Sequence, residues 1–433
     1  HERGRLKPPS LMLHGADLCT PARRAMRSNA GLRTLRRALS EMDTMRQLLI
    51  LLGLLTAFAP LTTDMYLPAF SAIASDLHAP MSLVQATVAV FLTGTAFGQL
   101  IYGPLSDRMG RKVPLYGGLL LYVLASAGCA LATNVEWLLV MRGLQALGGS
   151  AGMVIARAVV SDRFDSLGSA RALSRMMLVM GVAPILAPLM GGQLLDLWNW
   201  RAIFWSMAGY GVLCLALCAR GLPESLPAAR RHAMSWRVRL AGFAELFRQR
   251  SFIAPALTGG FAMAVMFAYI AGSPFVFIDL YGVSPSHYGW LFGLNAFGLI
   301  AGSQWNARLL RRHAPGWVLD RGLKVLVAAT VALLMVDSWA PPVLAWRLVP
   351  LFVAVGSLGL IMPNSAALAM GGQGARAGVA SSLLGFVQFV TFGLGAAVVS
   401  ALQDGSARAM TVTMLVSASV AWAVHLGFAR QRA

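Results

Sequence analysis

Asp64 is the only acidic residue in an apolar stretch over 47–69, within the string Thr62-Thr63-Asp64-Met65-Tyr66-Leu67-Pro68. A carboxyl group in apolar surroundings favours its neutral form, and a nearby cation favours the charged one. Such a group can take a proton on one side of a barrier and release it on the other. Arg142 is the cation that could set the balance, in Arg142-Gly143-Leu144-Gln145-Ala146-Leu147-Gly148-Gly149. An arginine inside a membrane span is costly and marks a working part of the molecule. The expectation is that Asp64 carries a proton and Arg142 tunes it. The plainer reading is an aspartate in outside water, near the end of its span, and an arginine that snorkels to the surface. Seven further residues are candidates to line a substrate cavity: Tyr66, Gln99, Gln145, Tyr269, Asn295, Asn364 and Gln388. Each could equally be a polar packing group between helices. Walls rich in Met and Phe suit varied lipophilic ligands, because methionine repacks easily.

Other chemistry is absent from the pattern. No Gly-Lys-Ser/Thr loop offers a nucleotide site, so ATP is not the expected energy source. The seven histidines show no metal spacing, and neither do Cys19, Cys129, Cys214 and Cys218. No catalytic cluster, cofactor or metal is expected, and the chain does not read as an enzyme.

The elements that must hold these residues are long and apolar. Of 433 residues, 57% are hydrophobic and 12% charged, against roughly a quarter charged in soluble domains. A span needs about 20 apolar residues. Twelve windows qualify: 47–69, 83–104, 113–132, 136–160, 173–195, 202–220, 252–277, 286–307, 321–338, 343–366, 377–400 and 409–428. The tenth is interrupted by Pro350 and Pro363. The net charge of +19 does not read as nucleic-acid binding, since the basic residues sit between apolar stretches. They crowd alternate loops: Arg108, Arg111 and Lys112; Arg163, Arg171 and Arg175; seven arginines between 220 and 250; Arg308, Arg311, Arg312, Arg321 and Lys324; and Arg376. The other loops hold only Arg201, Arg347 and Arg408. The positive-inside rule then places both termini in the cytoplasm, which needs an even number of spans. Residues 235–250 read as an amphipathic helix on the membrane surface.

The domain reading is a basic, disordered cytoplasmic tail over 1–45, six spans over 46–220, a cytoplasmic linker over 221–250 and six spans over 251–430. Residues 1–44 lack the apolar core of a signal peptide. They could also stem from a mis-set start, with Met45 as the more compact one. Two six-helix halves around a central cavity are the expected outline. A faint internal echo supports it. Gly98-Gln-Leu-Ile-Tyr-Gly-Pro-Leu-Ser-Asp107-Arg108 follows span two, and Gly298-Leu-Ile-Ala-Gly302-Ser-Gln-Trp-Asn306-Ala-Arg308 stands at the same place around span eight.

Gly103-Pro-Leu-Ser-Asp107-Arg108-Met-Gly110-Arg111-Lys112 resembles the signature loop of the major facilitator superfamily, G-x-x-x-D-R-x-G-R-[KR], with every key position filled. The resemblance implies a gating loop that latches one half to the other in one conformation. Arg142-Gly143 with Gln145 resembles the fourth-helix motif of that superfamily. Gly181-Val-Ala-Pro184-Ile-Leu-Ala-Pro188-Leu-Met-Gly191-Gly192 looks like the antiporter motif of its drug exporters, with a second proline where a glycine is commoner. Together with the Asp64 string, Ser273-Pro274-Phe275, Tyr288-Gly289-Trp290-Leu291-Phe292-Gly293-Leu294-Asn295 and Pro363-Asn364-Ser365-Ala366, the chain is similar to the Bcr/CflA group of bacterial drug exporters from about residue 46 to 428.

The resemblance implies an all-α membrane protein with the major facilitator fold, twelve transmembrane helices in the bacterial inner membrane. It implies proton-coupled multidrug export, with phenicol- or bicyclomycin-type antibiotics as substrates. The expected partners are a small-molecule drug or metabolite, protons and the lipid bilayer, with the monomer as the working unit. One alternative is proton-coupled transport of a native metabolite such as an amino-acid derivative. Another is a non-transporting membrane sensor or scaffold.

Overall fold

A computed structural model describes residues 29–164, 166–231, 236–339, 343–373 and 377–429. Of the tail expected over 1–45, residues 1–28 lie outside the described residues, and Asn29 opens a helix that runs to Asp64. The described residues up to Ile50 belong to one unit, and those from Leu51 onward to another. The second unit carries all of the candidate site residues.

The described residues fold as helices, and twelve of these helices are the expected spans. Span one is the helix ending at Asp64, continued by a tight turn over Leu67–Ala69 and a short helix Phe70–Asp76. Spans two to six are Met81–Met109, Lys112–Ala130, Val135–Arg163, Ser166–Leu197 and Trp200–Gly221. After a linker helix, Trp236–Arg248, spans seven to twelve are Arg250–Pro274, Pro285–Leu309, Pro315–Trp339, Leu344–Met370, Ala377–Ala401 and Arg408–Ala429. Nine helical segments among the described residues are long and apolar enough to cross a membrane. Of the other three, span five is described as a shorter apolar helix over Val182–Leu197, and spans eight and nine are as long but carry polar groups, among them Asn295 and Asn306, and Asp320 and Lys324.

Local chemistry sets several ends. Asn134 caps span four, its side chain accepting from Trp137 N at 2.8 Å, and Asn199 caps span six through Ala202 N at 3.2 Å. Pro285 opens span eight, where its missing N–H is no loss. Gly110, at φ 87°, ends span two in a conformation that suits glycine. Two expectations change. Pro350 and Pro363 do not break span ten, which stays helical from Leu344 to Met370. Span one does not stop at residue 69 but reaches Asp76.

Small residues let the spans approach closely. In the first half, β-carbons added at Gly94 and Gly98 would strike Ala146 and Ser150 of span four. In the second half, Gly298 and Gly302 press in the same way on Phe352 and Gly356 of span ten. The sequence echo at spans two and eight is thus also an echo of packing. Span two runs along span eleven, and span five against span eight, so these two pairs join the halves.

The linker helix does not present its whole apolar face to the membrane surface. Phe243 and Leu246 are buried against Phe252 and Ala256 of span seven and Ala380, Leu383 and Leu384 of span eleven. Leu240 and Phe247 remain exposed.

Candidate functional site

The break in span one is the centre of the site. The helix ends at Asp64, and Met65 and Tyr66 form a turn before a tighter one over Leu67–Ala69. Asp64 is 4% exposed. It lies 12 residues before the end of the span at Asp76, so the reading of a water-exposed aspartate near the span's end does not describe this structure. No donor among the described residues hydrogen-bonds its carboxylate. The turn Leu67–Ala69 packs against spans five, seven and eight, the last two in the other half.

Arg142 is fully buried on span four. Its Nη1 donates to the Thr62 carbonyl at 3.2 Å and to Gln145 Oε1 at 2.6 Å. The guanidinium lies over the rings of Tyr66 at 4.1 Å and Phe91 at 4.6 Å, with Phe204 at 5.9 Å. Its Nε and Nη2 have no partner among the described residues. Arg142 thus reaches the backbone two residues before Asp64 without forming an ion pair with it. The expected direct tuning is, in this conformation, a shared position.

This geometry sorts the seven cavity candidates. Tyr66 and Gln145 hold Arg142. Tyr66 OH bonds Thr87 Oγ1 at 2.8 Å, and Gln145 Nε2 donates to Ser126 Oγ at 2.8 Å. Asn364 is tied to Asn306 Oδ1 at 2.7 Å and to its own helix, so it packs span ten on span eight. Gln99 lies against Met153 on span four and Gly385 on span eleven. Gln388 is half-buried on span eleven, beside Gly259 of span seven. Tyr269 and Asn295 come together, Asn295 Nδ2 donating to Tyr269 OH at 3.1 Å. Ser273 and Tyr288 join them through a 2.8 Å hydroxyl contact. Asp64, from the other half, lies within electrostatic reach of both tyrosines.

The signature loop is knit by charge. Arg111 Nη1 donates to Asp107 Oδ1 at 2.7 Å and Ser106 Oγ at 2.8 Å, and its Nε to Asp162 Oδ2 at 2.9 Å. Glu224, just past span six, accepts from the backbone N–H groups of Arg111 at 2.9 Å and Lys112 at 3.2 Å. A carboxylate so placed complements the start of span three. Burial alone would raise its pKa, but the N–H groups of Arg111, Leu226 and Lys112, with Arg231 near, hold it below the usual glutamate range. Gly110 lies against Glu224 and Arg231. Gly103 faces Ser382 of span eleven at 3.8 Å from its β-position. Arg108 is exposed.

The antiporter-like helix is a seam between the halves. A β-carbon at Gly191 would overlap the Met65 carbonyl, and one at Gly192 would meet the Pro285 carbonyl at 2.7 Å. Pro188 is buried and Pro184 half-buried. Gly181 lies on the same helix, before the stretch whose side chains are described.

Residues 52–400 match the Major Facilitator Superfamily. The chain belongs to the Major Facilitator Superfamily. It is a multi-pass membrane transporter. It is 36% identical over 388 residues to the uncharacterized MFS-type transporter YdgK of Bacillus subtilis, covering 89% of this chain and 96% of that one. It is 29% identical over 371 residues to the bicyclomycin resistance protein homolog of Haemophilus influenzae, covering 84% and 92%. Among solved structures it is similar to a bacterial homolog of the human lysosomal transporter Spinster, inward-facing and occupied, with a TM-score of 0.71 at 17% identity, covering 88% and 96%. That last likeness bears on the major facilitator fold alone.

Several members of the site escape a reading of the sequence. Glu224 and Asp162 complete the loop network, and a signal for them exists: carboxylates at span ends, facing a basic loop. Ser273 and Tyr288 stand in strings that carry the resemblance, but nothing in their spacing ties them to Asp64. Ser71, whose Oγ donates to Asp279 Oδ1 across the halves at 2.7 Å, gives no sign at all.

Proposed function

We propose that this chain is a proton-coupled exporter of small-molecule drugs that works by alternating access. The observation that carries the reading is the Asp64 carboxyl. It is buried at a helix break, has no hydrogen-bond donor among the described residues, and lies within electrostatic reach of two tyrosines of the other half. A group so placed can trade its proton when the break opens to water on one side or the other. Arg142, boxed by aromatic rings next to Thr62, supplies a fixed positive charge beside that exchange. The similarity to a bicyclomycin resistance protein homolog supports drugs as cargo.

The moving parts in this reading are 46–220 and 251–430, joined by the 221–250 linker, with the basic loops and both termini in the bacterial cytoplasm. Asp107, Arg108, Gly110, Arg111 and Lys112 form the gating loop with Gly103. Gly181, Pro184, Pro188 and Gly191 form the flexing seam. Tyr269, Asn295, Gln99 and Gln388 line the substrate path, and the monomer is the working unit.

The test is a drug-susceptibility panel in an exporter-deficient host, paired with transport in energised vesicles. Expression should lower susceptibility to at least one small neutral or cationic antibiotic, and Asp64→Asn should abolish proton-driven export while the protein still reaches the membrane. Full export by Asp64→Asn would remove the coupling role. A panel with no changed compound would shift the cargo to a native metabolite.

A further inference from the structure

Two buried hydrogen-bond acceptors stand without donors among the described residues. One is the Asp64 carboxylate. The other is Asn295 Oδ1, fully buried on span eight and unpartnered. The Asn295 amide cannot simply be turned round. Its Nδ2 donates to the Leu291 carbonyl at 3.1 Å, which can only accept, and to Tyr269 OH at 3.1 Å. Its oxygen therefore points away from its own helix with nothing to receive. A buried acceptor left so is destabilising unless the working cycle fills it.

The surroundings define what could fill it. Tyr269 stacks on Phe292, with ring centres 5.6 Å apart, and Tyr288 and Phe277 close the sides at 6.0 to 6.3 Å. Ser273 and Tyr288 share a hydroxyl contact at 2.8 Å. Apolar rings thus frame a small set of oxygen atoms. Across the halves, Arg142 is turned into its own aromatic box and bonded to Thr62 and Gln145. Among the described residues, the titratable group brought to this cluster from the other half is the Asp64 carboxyl.

We propose that Asn295, with Tyr269, Ser273 and Tyr288, is the specificity-determining end of the substrate site. It reads hydroxyl donors on neutral or cationic compounds, which bridge Asn295 Oδ1 to Asp64. The inference rests on the drug–proton reading above and adds the class of cargo. Anionic compounds find no cation in this cluster and are excluded. Donor-free lipophilic cations use Asp64 alone and gain nothing from Asn295. A donor given to Asp64 competes with the proton there, which links binding to proton release.

The experiment uses the full-length protein purified in detergent, at a pH where it holds its coupling proton. Proton release to a pH-sensitive dye is followed as each probe is added. The probes are chloramphenicol, which carries a free diol; its 1,3-di-O-acetyl ester, which lacks those donors; and tetraphenylphosphonium, a cation with no donors. Asn295→Val and Asn295→Thr are near-isosteric, and only threonine can donate to the Leu291 carbonyl while keeping an acceptor. The wild type should respond to chloramphenicol at a concentration about tenfold below that for the ester, the scale of one well-formed hydrogen bond. Asn295→Val should erase that difference, and Asn295→Thr should keep most of it. Thermal melts of both variants check folding, and Ser273→Ala serves as a second probe of the same cluster if Asn295→Val does not fold. Equal responses to diol and ester in the wild type, or an unchanged diol response in Asn295→Val, would overturn the donor-reading role while leaving the exporter intact. Silence from all three probes, with susceptibility unchanged in cells, would overturn the drug reading and this inference with it.

Discussion

Arg142 is held by a geometry that lysine cannot reproduce. A planar guanidinium can lie flat on Tyr66 and Phe91 while its edge reaches both the Thr62 carbonyl and Gln145 Oε1. An ammonium keeps the charge but has no flat face to lay against the rings. Cation–π contacts of this desolvated kind are worth about 1–2 kcal/mol. Arg142→Lys is therefore expected to lower stability by about 2 kcal/mol and cut proton-driven transport by more than tenfold, as read from melts and vesicle flux. Near-normal flux from the lysine variant would mean that charge alone suffices. Glu224 gives a second prediction at this scale. Its pKa is depressed, so its contribution to stability is complete above the unfolded-state value near 4.5 and fades as pH falls through the folded one. Glu224→Gln should melt earlier than the wild type at pH 7, by about 1 kcal/mol or less because the group is largely solvated. The gap should close once pH falls below the depressed folded value; a gap that persists there would point to packing instead of charge. Asp64 and Arg142 are legible in the sequence because a charge in an apolar stretch is an anomaly that demands a reason. The task of Tyr66 is not, because the ring serves a cation on another span, and linear spacing carries no trace of that.

Span five shows what an element can and cannot reveal beforehand. Its Gly-Pro pattern announces close packing, but not against what. In the structure Gly191 lies on the backbone of Met65, the residue after Asp64, so any β-carbon there must push span five off the break in span one. Gly191→Ala should destabilise the protein by about 1–3 kcal/mol, the usual range for overpacking a tight contact, and impair transport beyond its effect on folding. Gly209→Ala is the matched control, since nothing lies within 4 Å of its β-position and alanine favours a helix. Equal melting of the two variants would show that the seam is looser than its contacts state. Span one is harder to read. Its apolar pattern fades at Pro68, and Ser71, Ser75 and Asp76 dilute the residues beyond, so the window closes early and leaves Asp64 seemingly near the surface. Only the folded chain shows the short helix Phe70–Asp76 carrying the span onward. The linker helix likewise declares its period and its charge. That Phe243 and Leu246 would dock on spans seven and eleven depends on partners far along the chain.

At the scale of the whole molecule, the halves meet at the end opposite the signature loop through few polar links among the described residues. Ser71 Oγ donates to Asp279 Oδ1 at 2.7 Å, joining the start of the short helix after the break to the wide turn Phe275–Leu280 that follows span seven. Ser400 Oγ donates to the Ser82 carbonyl at 2.6 Å, joining spans eleven and two. Beside these run the glycine contacts of span five with Met65 and Pro285. Alternating access requires this end to part once in every cycle, since Asp64 lies behind it. A covalent tie between residues 71 and 279 should therefore stop transport without disturbing the fold. With Cys19 replaced by Ser, and Cys129, Cys214 and Cys218 buried, Ser71→Cys with Asp279→Cys can be bridged by a short thiol-specific crosslinker. Flux should fall in proportion to the fraction bridged and return when the tie is reduced, while either single variant keeps a large part of its activity after the same treatment. Probe-induced proton release should be lost with the tie if Asp64 is loaded through this end, and retained if the opposite end supplies it. Steady flux through a fully bridged protein would show that these halves need not separate here, and alternating access about this break would have to be abandoned.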